Sequence, residues 1–199
     1  YALALTELYR STFDVSCLEE AVFLARQITE RFEDRKNGGC FMTAHDSGEL
    51  LLRPKEACDG AIPSGNAAAA MVFAELSFLT GEPFFQEAAV RQHRFLAGEA
   101  KAYPAAHCFA LLSMAKSLYP HRELVCTGAE VPEELAAYLR THPAGDLTVL
   151  FKSAENERRL SAVCPFTAAY PVSDRPVYYL CENGSCHAPV TDFNKLGLP

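Results

Sequence analysis

No apolar run in the 199-residue chain approaches the roughly 20 residues that a membrane-spanning helix needs. Basic charge is short as well: 18 Lys and Arg stand against 25 Asp and Glu, leaving a formal charge of -7 and no positive field to gather phosphates. Nucleic acid and acidic membrane surfaces are therefore not expected as partners. The chain has no phosphate-cradling glycine loop and no nucleophile-elbow pattern. No second Cys/His pair accompanies the one near the C-terminus, so neither a metal nor a cofactor is expected. The start lacks the basic stretch and small-residue cleavage site of a signal peptide. Nor does it open with Met. Residues Tyr1 to Leu8 read as the middle of an apolar helix, and we expect a piece cut from a longer protein.

What is present describes a packed globular body. Apolar residues make up 49% and charged residues 22%, which excludes disordered, collagen-like and coiled-coil chains and allows a substantial core. Six of the eight cysteines (Cys17, Cys40, Cys58, Cys108, Cys126, Cys164) stand singly in apolar segments. Buried reduced thiols fit that scatter, and with them a cytoplasmic location.

Residues 1–13 are apolar on most sides. Ser16-x-x-Glu19 has the form of a capping box, and Leu18, Ala21, Ala25, Ile28 and Phe32 then recur at helical spacing with charge on the other faces. Residues 64–79 are apolar all round. Gly81 closes that helix and Pro83 opens an amphipathic one over 83–97. Pro104 opens a fifth, apolar helix to about Leu118. Buried and amphipathic helices thus alternate, and 5–21 faintly resembles 73–89. Hairpins laid side by side, an inner ring wrapped by an outer one, would give this pattern, as would a plain helical bundle. The connection 33–63 is long enough to be functional or to carry structure of its own. Within it, residues 40–45 and 49–53 flank Asp46-Ser47-Gly48 as a β-hairpin would.

After Pro120 the pattern changes. Residues 123–128 and 147–151 read as short buried strands bracketing a helix from Pro132 to before Pro143. A weaker helical stretch, 154–161, follows. Residues 177–181 and 185–190 then flank Asn183-Gly184, a strong hairpin signal. A two-residue turn there pairs Cys181 with Cys186 across the strands at disulfide range, giving either a redox-labile pair or two reduced thiols filling space.

The densest polar stretch runs from His45 to Asn66 and leads into a helix N-terminus, where carboxylates gain from exposed N–H donors. Paired carboxylates at such a rim suit general acid and base work on a sugar. The same residues suit a structural role, with Ser64 as an N-cap, Asp59 and Asn66 pinning the loop and Arg53 pairing with Glu56. His107 and Cys108, neighbours in sequence, point to different helix faces and make a poor nucleophile–base pair. His107 is placed to meet a sugar hydroxyl or a core partner.

RPKEACDGAIPSGN (53–66) closely resembles the R-P-K-E-x-x-D-G-A-x-P-S-G-N signature of the YyaL-like, spermatogenesis-associated thioredoxin-domain family. LYRSTFD, GGCF, ELSFLTGEP and YLCENGSCHAPVTD resemble that family in the same order, so the likeness covers nearly the whole chain. Cys58, where an aromatic is common, and the Ala67–Ala70 run depart from it. The resemblance implies an N-terminal thioredoxin-like domain followed by an (α/α)6 toroid similar to N-acylglucosamine 2-epimerases and glycosidases. The expected architecture is accordingly mainly α: a partial (α/α)6 toroid of helical hairpins over 1–120, then a small α/β subdomain over 121–199. Two functions stay open. One is a carbohydrate-binding or carbohydrate-processing cavity, with Asp59 and Glu56 as acid/base candidates and Arg53, Asn66, Ser64, His45 and His107 as substrate contacts. The other is a non-catalytic scaffold docking the thioredoxin-like domain of the same full-length chain. The raw flank of an incomplete ring would favour self-association.

Overall fold

The structure, a computed structural model, describes residues 1–48, 50–142, 146–182 and 184–198. Helices α1 (Ala2–Thr12) and α2 (Val15–Arg31) form the first hairpin. Phe13 turns the chain in the left-handed region (φ 56), donating its N–H to the Tyr9 carbonyl at 2.7 Å. Its ring lies against Tyr9 and Phe151, and that aromatic packing holds a conformation that a bulky residue otherwise avoids. The expected capping box at Ser16 does not form. Asp14 is the N-cap, accepting from the Ser16 N–H at 2.9 Å and from the Ser16 hydroxyl at 2.7 Å, so the serine serves as donor to a better acceptor.

Helix α3 (Gly65–Thr80) is capped by Ser64 and closed by Gly81 in the left-handed conformation (φ 66). Helix α4 (Pro83–Ala100) starts with proline in its first turn. The helix expected from Pro104 is two pieces: a 3-10 turn, Pro104–Ala106, and then α5 (Cys108–Leu118), separated at His107 (φ -136, ψ 32). The hairpin expected within 40–53 is not a pair of strands among the described residues, and Glu49 lies outside them. A single Glu33–Cys40 bridge and the Met42 N–H on the Pro54 carbonyl (2.9 Å) order that segment instead.

Strands β1 (Arg122–Thr127), β2 (Leu147–Lys152), β3 (Val177–Glu182) and β4 (Ser185–Cys186) make one mixed sheet in the order β2-β1-β3-β4. β1 runs parallel to β2 and antiparallel to β3. Helices α6 (Glu133–Thr141) and α7 (Glu157–Val163) follow β1 and β2. The period of two along each strand decides the packing. Val125 and Leu150, paired in register, enter the core that also holds Leu18, Leu76 and Phe85 of the hairpins. Leu124, Cys126, Val149 and Phe151 face the other way, onto Leu135 of α6 and Tyr178. Lys152 is fully buried, and its ammonium donates to the carbonyls of Thr167 (3.0 Å) and Tyr170 (2.7 Å) and pairs with Glu157 (3.1 Å).

The mainly-α, partial (α/α)6 toroid is thereby corrected to a mixed α/β body. The sheet packs into the same core as both helical hairpins, and the described helices do not make a closed ring. α1 and α5 flank α3, but α5 leads directly into β1 rather than into an outer partner helix. The burial expected for α5 fails for the same reason, with Leu112 56% and Leu118 83% exposed.

His121 enters β1 with its ring stacked on Phe78 (centroids 3.8 Å apart) and its Nε2 at 2.6 Å from the Thr148 hydroxyl. Burial, with the nearby cations Lys116 and Arg10, pushes its pKa down from 6.5 to about 4. The unfolded chain takes up this proton first as pH falls, so stability drops between pH 6.5 and about 4 and is intact above that window. His121→Phe keeps the stacking surface without the titration. Melting temperatures across that window should fall more steeply in the wild type than in this variant; parallel curves would refute the assignment.

Candidate functional site

The loop preceding α3 is built around Asn66, the second residue of that helix. Its Oδ1 accepts from the Cys40 N–H and from Gln92 Nε2, both at 2.6 Å. Its Nδ2 donates to the carbonyls of Cys40 (3.0 Å) and Glu56 (2.7 Å). All the hydrogen-bonding capacity of the buried amide is used, and it joins the loop, α3 and α4. Ser64 accepts from the Ala67 N–H at 3.1 Å and donates its hydroxyl to the Ala57 carbonyl at 3.0 Å. Asp59 accepts from the Ser64 N–H on Oδ1 (3.0 Å) and from the Phe109 N–H on Oδ2 (2.8 Å). One carboxylate therefore meets the N-terminal ends of both α3 and α5, where helix dipoles favour negative charge.

Arg53 donates to the Thr43 carbonyl at 2.6 Å, and its guanidinium lies over the Phe41 ring at 4.1 Å. Its Nη1 is 3.1 Å from Nδ1 of His45, whose Nε2 is 3.2 Å from the Glu33 carbonyl oxygen. A carbonyl only accepts, so Nε2 carries the ring hydrogen and Nδ1 accepts from Arg53. Lys55 donates to Asp34 (2.6 Å) and to the Gly38 carbonyl (2.7 Å), and also lies over Phe41 at 4.9 Å. The Lys55 and Asn37 hydrogen bonds hold the Asp34 carboxyl well below the usual carboxylate range. Gly39 turns the chain here at φ 73, and a Cβ would come within 2.6 Å of the Phe95 ring, so only glycine fits.

Glu56 is the exception in this stretch. Its carboxylate makes no hydrogen bond or ion pair among the described residues, and Glu56 borders a cavity of about 410 Å³ walled by Leu3, Ile28, Phe32, Phe41 and Val72. The expected Arg53–Glu56 pair is not formed; Arg53 goes to Thr43 and His45 instead. Asn66 also borders the cavity, and Asp59, Ser64, Arg53 and His45 do not. His107 donates from Nδ1 to the Tyr103 carbonyl at 3.0 Å and turns Nε2 toward Cys58 Sγ at 3.7 Å. Sequence reasoning missed that contact and the role of Gln92. Gln92 was legible as an uncharged polar residue on the buried Ala88–Leu96 face of α4.

A second cavity, about 870 Å³, lies between α1, α3 and α5 and is lined by Leu3, Met71, Phe109, Leu112 and Tyr119. Glu75, also on its lining, is 3% exposed and meets Arg10 (3.2 Å) and Lys116 (3.0 Å). Among the described residues no group of three or more His, Cys, Asp or Glu could hold a metal ion. Nor is any helix long and apolar enough to cross a membrane. At the sheet edge Cys181 and Cys186 lie opposite each other, Cα atoms 4.0 Å apart, and form a disulfide. Cys181 is buried with the Tyr170 hydroxyl 3.7 Å away, and Cys186 is exposed. Asn183, in the turn between them, lies outside the described residues.

Fold and site together define a mixed α/β body whose long interhelical loop is tied down by its own side chains. No family model matches the chain. It is similar to spermatogenesis-associated protein 20 of Mus musculus, 26% identical over 193 residues, which is 94% of this chain and 24% of the relative. The Rattus norvegicus protein gives the same figures. The Homo sapiens protein is 25% identical over 197 residues, again 94% of this chain and 25% of the relative. The chain thus spans about a quarter of the length of these relatives.

The disulfide sets a direct expectation. Thiol titration of the denatured, unreduced protein should count the six free cysteines (Cys17, Cys40, Cys58, Cys108, Cys126, Cys164), rising to eight after reduction. A count of eight before reduction would contradict the bond.

Proposed function

We propose that this chain is a non-catalytic supporting module of a longer protein, whose loop 45–66 fastens helical hairpins into a rigid platform for a thioredoxin-like domain. The observation that carries the reading is the destination of the Arg53, Asp59, Ser64 and Asn66 side chains. Each is spent on backbone groups or on side chains of the same loop and of α4. An acid/base pair of Asp59 and Glu56 has little support, because both Asp59 oxygens already accept backbone N–H groups. The apolar groove between α1, α3 and α5, with Leu112 exposed, is a surface such a domain would cover. Relatives about four times as long supply the room for it.

Asp59→Ala removes the acceptor from two helix N-termini and should destabilise the protein by about 1–3 kcal/mol, read as a lower melting temperature or urea midpoint. An unchanged melting temperature would overturn the platform reading.

One observation favours a second reading. The free Glu56 carboxylate at a cavity with aromatic walls suits a small polyhydroxylated ligand such as a sugar ring, with hydroxyls on the carboxylate and the ring face on Phe41 or Phe32. Ligand-observed NMR against mono- and disaccharides tests this. Saturable binding that is lost in Glu56→Gln and kept in Arg31→Gln supports it, and no binding in the wild type refutes it.

A further inference from the structure

His107, a poor base for its sequence neighbour Cys108, has a thiol partner 49 positions away. Cys58 Sγ lies 3.7 Å from Nε2 of His107. The tautomer of that imidazole is fixed by geometry. Nδ1 is 3.0 Å from the Tyr103 carbonyl oxygen, which accepts only, so Nδ1 holds the hydrogen and the Nε2 lone pair faces the thiol. The ring is 3% exposed and sits between the 3-10 turn and α5, while Cys58 is open to solvent. The bonds that hold the two together are those of Asp59, next to Cys58: its N–H donates to the Ala106 carbonyl (2.7 Å) and its Oδ2 accepts from Phe109. A nucleophile, a base within reach and a third group orienting the base are the parts of an activated thiol.

The other free thiols provide the contrast. Cys17, Cys40, Cys126 and Cys164 are buried, and desolvation pushes the Cys40 and Cys126 thiols up to about 12. Cys108 is exposed like Cys58, but its Sγ donates to the Ala105 carbonyl at 3.3 Å, an acceptor that holds the thiol form and cannot take its proton. The two exposed thiols therefore differ in what receives their hydrogen. Cys58 lines neither of the two cavities described above, so a reactant would reach it from solvent.

We propose that Cys58 is a covalent modification site, a His107-activated thiol that adds α,β-unsaturated carbonyl compounds. The Sγ proton passes to Nε2 of His107 as Sγ forms a bond to the β-carbon. The carbon–carbon π pair moves to the α-carbon, which then takes the proton back from the imidazolium. Atoms and charge balance without an oxidant, a reductant or a leaving group.

N-ethylmaleimide, a reagent of this class, tests the site on the folded, unreduced protein at pH 7. Short exposures followed by peptide mass spectrometry give the labelling rates of Cys58 and Cys108 side by side. Cys58 should be labelled at least about tenfold faster, a threshold set below the roughly hundredfold or more that a positioned base contributes. In His107→Gln, with folding checked by circular dichroism, the two rates should converge. Equal rates in the wild type overturn the proposal, and that comparison stands alone if the variant does not fold. A Cys58 advantage that survives in folded His107→Gln also overturns it, since exposure alone would then explain it.

Discussion

A carboxylate that receives one backbone N–H from the start of α3 and another from the start of α5 fixes two helices relative to the loop between them, and Asp59 does this with both oxygens. Each helix N-terminus carries unsatisfied donors and partial positive charge, so the position stabilises the anion and the anion stabilises both helices. Other placements follow. Ser64 is brought to cap α3, Asn66 is brought under the loop to hold the Cys40 and Glu56 backbones, and Cys58 is carried to His107. Glu56, held only through its main chain, is left with its side chain at a cavity.

The helices and strands were legible because their signals are local. The 3.6 period of α2 and α4, the proline and glycine at the α3–α4 junction and the apolar runs of β1 and β2 need no distant partner. The architecture was not, because the same amphipathic alternation serves a ring, a bundle or hairpins packed against a sheet. What decides here is that Val125 and Leu150 of the sheet complete the hairpin core, which periodicity does not encode. Among the described residues of 40–53, one side chain and one backbone bond order the segment in place of paired strands. Arg53 takes the Thr43 carbonyl and stacks on Phe41, and Met42 bonds to Pro54. At the candidate site the dense stretch 45–66 was visible, but the role of a carboxylate depends on what meets its oxygens. Phe109, fifty positions from Asp59, carries no mark in the sequence that it will do so.

Buried charge elsewhere is handled by local saturation. Lys152 spends its hydrogens on two carbonyls and a carboxylate, and Glu75 is met by a guanidinium and an ammonium. A buried ion is tolerated when geometry and hydrogen bonds offset its lost hydration, and removing one partner costs more than the pair contributes. Lys152 thereby joins β2 to the segment after α7, and Glu75 joins α3 to α1 and α5. These contacts are specific in direction, which apolar packing alone is not.

The edge of the sheet carries a consequence for solubility. β3 pairs with β1 along its length, and among the described residues its other side is covered by Ser185–Cys186, by the His187 N–H on the Leu180 carbonyl (2.9 Å) and by a bridge from Tyr178 to Val190. An open row of backbone donors and acceptors is a template for a strand from another molecule, and short cover strands are one way proteins blunt it. Here the cover is continued by Phe193, whose ring packs on Tyr178 and Tyr138. The segment from Ser185 to Leu198 thus guards against intermolecular β-pairing, and fraying it would favour aggregation even with the helical core intact.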